Sequence, residues 1–90
     1  MLHIVAYDVV SDRRLRRVAR ICEDYGVRIE KSVFECDLDE VEFERFWGRL
    51  GEAVEEGDSV VDYPVSHSCR DRIRVLGVSR RDEPSETIVL

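Results

Sequence analysis

The stretch LHIVAYDVVSDRRLRRVAR, residues 2–20, decides how this chain is read. Leu2 to Val9 is nearly continuous in apolar residues, the pattern of a strand covered on both faces. Ser11 and Asp12 then offer oxygens that cap a helix, and Leu15, Val18, Ala19, Cys22 and Tyr25 follow at helical spacing. A carboxylate, Asp8, ends the strand directly after Tyr7. As a solvated strand end it needs no explanation, and a helix-1 arginine or a backbone N–H would satisfy it. Held close to a second negative charge, it requires a shared proton or a cation.

Working outward, Gly26 is the expected left-handed stop of the first helix. Val27 to Leu38, VRIEKSVFECDL, favours extended chain, either as one bent strand or as a hairpin turning near Lys31 and Ser32. Asp39 with Glu42 forms a capping-box pattern, and Phe43, Phe46, Trp47, Leu50 and Val54 line one side of a second helix. That aromatic stripe reads as packing rather than as a cofactor box. Glu55 to Asp58 breaks the helix, and Ser59 to Val65, SVVDYPV, is a strand whose Pro64 implies an edge or an end. Ser66 to Asp71 reads as a polar turn and Ile73 to Val78 as a further short strand. Ser79 to Glu86 is charged, and Thr87 to Leu90, TIVL, is a terminal strand seeking a partner.

Ninety residues make one small domain, and a 43% apolar content supports one modest core. Two helices interleaved with four or five strands predict an α+β sandwich on the ferredoxin-like βαββαβ plan, with an extra C-terminal strand. Residues 1–78 form the domain and 79–90 the tail. The bare sheet face and the isolated TIVL segment favour a homodimer in which the tail augments the neighbour's sheet. No secretory segment and no apolar run of bilayer length occurs, so a soluble, cytoplasmic protein without membrane contact is expected.

Three cysteines without a C-x-x-C pair argue against a disulfide framework and a zinc knuckle. Cys22 belongs to the apolar face of the first helix, and His67 with Cys69 matches no zinc spacing. The net charge of -6 excludes a bulk basic field. The distribution is uneven, however. Arg13, Arg14, Arg16, Arg17 and Arg20 stand together without an acid, whereas residues 35–58 hold ten acids against Arg45 and Arg49. Arg13, Arg16, Arg17 and Arg20 share one side of the helix, away from the apolar stripe. That side is either a solvated face or a phosphate-contact surface. The strands lack the glycine-flanked aromatics on which an RNA-recognition sheet stacks bases.

IVAYDV at 4–9, RRLRRVAR at 13–20, RIEKSVFECDL at 28–38, DSVVDYP at 58–64 and RVLG at 74–77 together resemble the small CRISPR-associated adaptation proteins of the Cas-two family. The resemblance covers about residues 1–78. It implies a ferredoxin-like homodimer that bridges integrase subunits during spacer acquisition. Many members are also metal-dependent endonucleases acting on single-stranded RNA or double-stranded DNA. It places the metal-binding and catalytic aspartate at Asp8, with Tyr7 beside it. Arg17, Arg28, Ser32 and Phe34 fall on positions of the family pattern, and Arg13, Arg16, Arg17 and Arg28 are the candidate nucleic-acid contacts. The expected cofactor is Mg2+ shared through Asp8 of each protomer. Two other readings follow from the same residues: a structural DNA-binding adaptor without catalysis, and a related ribonuclease toxin.

Overall fold

The computed structural model describes residues 1–77. The order is β1 (Leu2–Asp8), α1 (Asp12–Tyr25), β2 (Val27–Glu30), β3 (Val33–Asp37), α2 (Glu40–Ala53), β4 (Ser59–Val65) and a short α3 (His67–Arg70). The strands form one antiparallel sheet in the order β2-β3-β1-β4. This is two interleaved β–α–β units, each skipping a strand that belongs to the other, as the βαββαβ plan requires. Residues 27–38 resolve as a hairpin, with a register shift between Arg28 and Glu30. The expected C-terminal strand at Thr87–Leu90 and its exchange with a partner lie outside the described residues.

Side-chain alternation sorts β1 cleanly. Val5 and Tyr7 enter the core with their register partners Phe34 of β3 and Val60 of β4, against Val18, Ile21 and Cys22 of α1 and Phe46, Leu50 and Ala53 of α2. Leu2, Ile4, Ala6 and Asp8 leave by the other face, opposite Val65, Tyr63, Val61 and Ser59 of β4. That second face is apolar and incompletely covered, with Tyr63 56% and Val61 39% exposed. Pro64 sits on the edge strand, where its missing N–H costs no ladder bond.

The helix ends follow from local chemistry. Ser11 accepts from the Arg14 amide, and Asp39 with Glu42 completes the capping box. Gly26 differs from expectation: its backbone is extended (φ -163°), not left-handed. The glycine is required by close approach instead. A Cβ there would meet the Glu35 carbonyl oxygen and lie 2.5 Å from Cys36 Sγ. Two further corrections concern the end of the domain. The stretch read as a polar turn contains α3, capped by the Ser66 hydroxyl. Ile73 to Gly77 do not form a strand: although β2 and β4 are both sheet edges, Ile73, Val75 and Leu76 lie instead against the apolar open face beside Ile4, Val33 and Val65.

Glycine substitutions separate these roles. Gly26→Ala should lose about 1–3 kcal/mol through overpacking against β3. Gly48→Ala and Gly51→Ala, on the exposed side of α2 with open space around each added Cβ, should each gain about 0.5–1 kcal/mol. Urea unfolding of the three variants checks both signs.

Candidate functional site

Asp8 is exposed at the last rung of β1, paired in register with Ser59. Among the described residues its carboxylate has no hydrogen-bond or ion-pair partner. Tyr7 is its immediate neighbour in sequence but not in space. The tyrosine ring turns into the helix layer, 6% exposed and stacked on Phe34 at 6.2 Å, so the two side chains leave opposite faces of the sheet. Burial raises the Tyr7 hydroxyl above its ordinary pKa, and the neighbouring Arg28 offsets part of that rise.

The arginines divide into two groups. Arg13, Arg16, Arg17 and Arg20 are exposed and, with Arg14, border a cleft of about 630 Å³ whose far wall carries Glu52 of α2 and Glu55 of the turn that follows it. Arg28 is committed elsewhere: its guanidinium lies 4.9 Å from the Phe34 ring centroid, donates to the Lys31 carbonyl and pairs with Glu23 at 3.2 Å. The four exposed arginines of α1 thus stand in the helix layer, as Arg28 does, whereas the Asp8 side chain leaves the sheet by the opposite face.

Sequence reasoning missed the hub that fixes this end of the molecule. Arg14, although embedded in the arginine run, faces acids more than forty positions away. It donates from Nε to Asp58 Oδ2 at 2.8 Å and from Nη2 to Oδ1 at 3.2 Å, and Nη1 lies 3.2 Å from Glu55 Oε2. Asp58 also accepts from the Val10 amide (3.0 Å) and the Glu55 amide (2.9 Å), and its side chain is fully covered. The Arg14 guanidinium, followed by those two amides, holds the Asp58 carboxyl far below the usual carboxylate range. A second unforeseen pair joins His3 Nδ1 to Asp62 Oδ1 at 2.8 Å, with the imidazole stacked on Phe43. No local spacing signals either pair, because each forms only when β4 docks.

Metal ligation tests the ligand set directly. Among the described residues no group of three or more His, Cys, Asp or Glu side chains is placed to hold a metal. Among the described residues Asp8 stands in no such group and brings one hard oxygen donor. That suits a Mg2+ ion that keeps most of its waters, provided a second carboxylate comes from another copy. The cysteines do not compete. Burial pushes the Cys22 thiol up to about 12 and the Cys36 thiol up to about 11, while Cys69 is exposed on α3. Among the described residues no helix is long and apolar enough to cross a membrane.

Comparison with known proteins places this architecture. The sequence profile of the family described as CRISPR associated protein Cas2 matches residues 1–73. A CRISPR-associated endoribonuclease Cas2 of Chloroflexus aurantiacus is 34% identical over 92 residues, covering 100% of this chain and 99% of its own length. A CRISPR-associated endonuclease Cas2 of Thermus thermophilus is 38% identical over 90 residues, covering 99% and 96%. The crystal structure of Streptococcus pyogenes Cas2 at pH 6.5 superposes with a TM-score of 0.74 at 37% identity, over 86% of this chain and 100% of that one.

The thiols give a direct check on the packing around the site. At pH 8 a thiol reagent should label Cys69 rapidly and Cys22 and Cys36 only on unfolding, because their thiolate fractions are negligible in the folded chain. Prompt labelling of all three in native buffer would contradict the burial described.

Proposed function

The chain belongs to the CRISPR-associated Cas2 family, and from that premise we propose that it is an endonuclease working as a homodimer. Two copies meet through the apolar open face of the sheet, bringing Asp8 of one toward Asp8 of the other. Asp8 of each chain would hold Mg2+, which would supply an activated water and charge neutralisation for phosphodiester hydrolysis. The observation behind this reading is Asp8 itself: an exposed carboxylate without a partner among the described residues, at the rim of an incompletely covered apolar face.

The remaining residues act around that point. Arg13, Arg16, Arg17 and Arg20 present guanidinium groups to phosphate oxygens and set the path of the strand, which is single-stranded RNA or double-stranded DNA. Arg28 and Tyr7 serve as scaffold, Arg28 by clamping the hairpin turn and Tyr7 by anchoring β1 from the helix side. The cellular role is spacer acquisition, in which the dimer bridges integrase subunits in the cytoplasm. A second reading, the adaptor without catalysis, draws support from the lack, among the described residues, of any group of three or more side chains placed to hold a metal.

A cleavage assay on labelled RNA and DNA, with Mg2+, Mn2+ or EDTA, tests the enzyme reading. Cleavage that requires metal and disappears in an Asp8→Asn chain of unchanged mass in solution is expected; equal activity of the two chains would defeat it, and inertness of both would leave the adaptor. On the Asp8→Asn chain, affinity for the same oligonucleotides should fall with salt. Each of Arg13→Ala, Arg16→Ala and Arg17→Ala should lower the log–log slope by about one. A slope unmoved by all three would remove the arginine face from the interface.

A further inference from the structure

Asp58 lies in the segment EEGD, which by sequence is only a helix breaker, yet its carboxylate is the most heavily used in the described chain. Four donors converge on its two oxygens: two from the Arg14 guanidinium, one from the Val10 amide and one from the Glu55 amide. A carboxylate has about four lone-pair sites, so none is left for water or substrate. The donors come from three segments: the β1–α1 turn, the first turn of α1, and the turn between α2 and β4. Asp58 also directly precedes Ser59, the register partner of Asp8 at the last rung of the sheet.

We propose that Asp58 is the positioning residue of the Asp8 site: with Arg14 it locks the β1–α1 turn to the start of β4, fixing both the Asp8 backbone and the direction in which α1 presents its arginines. The role rests on the reading of Asp8 as the metal-binding carboxylate. The physical reason is geometric. Beyond the Asp8–Ser59 rung β1 and β4 leave the sheet, and ladder hydrogen bonds no longer restrain them. The Val10 amide is two residues past Asp8, and Arg14 is one helical turn into α1. A single covered carboxylate holding both removes the fraying expected at a strand end. A bidentate guanidinium fixes angle as well as distance, which a lysine in the same place does not. Arg14 is thereby withdrawn from the phosphate-facing set, while its neighbours Arg13, Arg16 and Arg17 keep their side chains exposed.

The test uses the full chain with Asp58→Asn, which preserves shape and an acceptor for Val10, and Arg14→Lys, which preserves charge but not the fork. Cleavage kinetics and residue-resolved amide exchange are read on the same samples. Positioning predicts that kcat falls roughly 10- to 100-fold in Asp58→Asn while KM and the salt slope of binding hold, with Arg14→Lys intermediate. It also predicts faster exchange across residues 8–11 and 58–59, including amides that do not themselves bond Asp58, with the helix–sheet core still protected. Unchanged kcat in both variants, or exchange confined to the Val10 and Glu55 amides, would overturn the proposal. So would a loss of protection spread evenly over the chain, which marks a plain stabiliser. Should the unaltered chain show no metal-dependent cleavage, the nuclease reading fails by itself. The exchange pattern across 8–11 and 58–59 then decides whether Asp58 fixes the Asp8 turn.

Discussion

One-sided burial of the sheet is the constraint from which the rest of the molecule follows. Both helices pack on a single face, so the two-residue period of β1 divides its side chains by parity. His3, Val5 and Tyr7 are drawn into the helix layer; Ile4, Ala6 and Asp8 are turned out. The same parity makes the second face apolar, because the strand is apolar at both parities. A strand that reads as doubly covered but is covered once within a chain leaves an apolar face on which the proposed second copy would pack. Asp8 sits at its rim, where a two-fold operator would bring a like charge close, and like charges at short range call for a cation.

Much of the fold was legible because its signals are local. Ser11, the Asp39–Glu42 box and the Phe43–Val54 stripe mark the helices, and the order of apolar runs gives the βαββαβ plan. Gly26 was rightly seen as a punctuation point for the wrong reason: the demand comes from β3 packed against it, which no helix-end rule contains. Ile73 to Gly77 show the opposite failure. Their β-favouring side chains lie against the apolar open face instead of pairing with either sheet edge, a choice that propensity cannot see.

The candidate site was legible in part for the same reason. Asp8 announces itself by ending an apolar strand, and the α1 arginines by their spacing. Tyr7 and Arg28 were grouped with them by adjacency and by family pattern, yet the sheet sends both to the helix side. Asp58 and the His3–Asp62 pair were invisible, since their partners lie 44 to 59 residues away and meet only in the finished sheet. The net charge of -6 is reconciled in the same three-dimensional terms. Glu55 and Asp58 pair with Arg14, and Glu52 and Glu55 face the cleft, while Arg13, Arg16, Arg17 and Arg20 stay exposed on an acidic protein.

Whether the proposed reacting centre is shared between two chains is decided by a mixing experiment. Wild-type and Asp8→Asn chains are unfolded together in varied proportion, refolded to dimers, and assayed for metal-dependent cleavage. A centre that needs Asp8 from both chains predicts activity falling as the square of the wild-type fraction. Activity falling in simple proportion would mean that each chain acts alone, and would contradict the account.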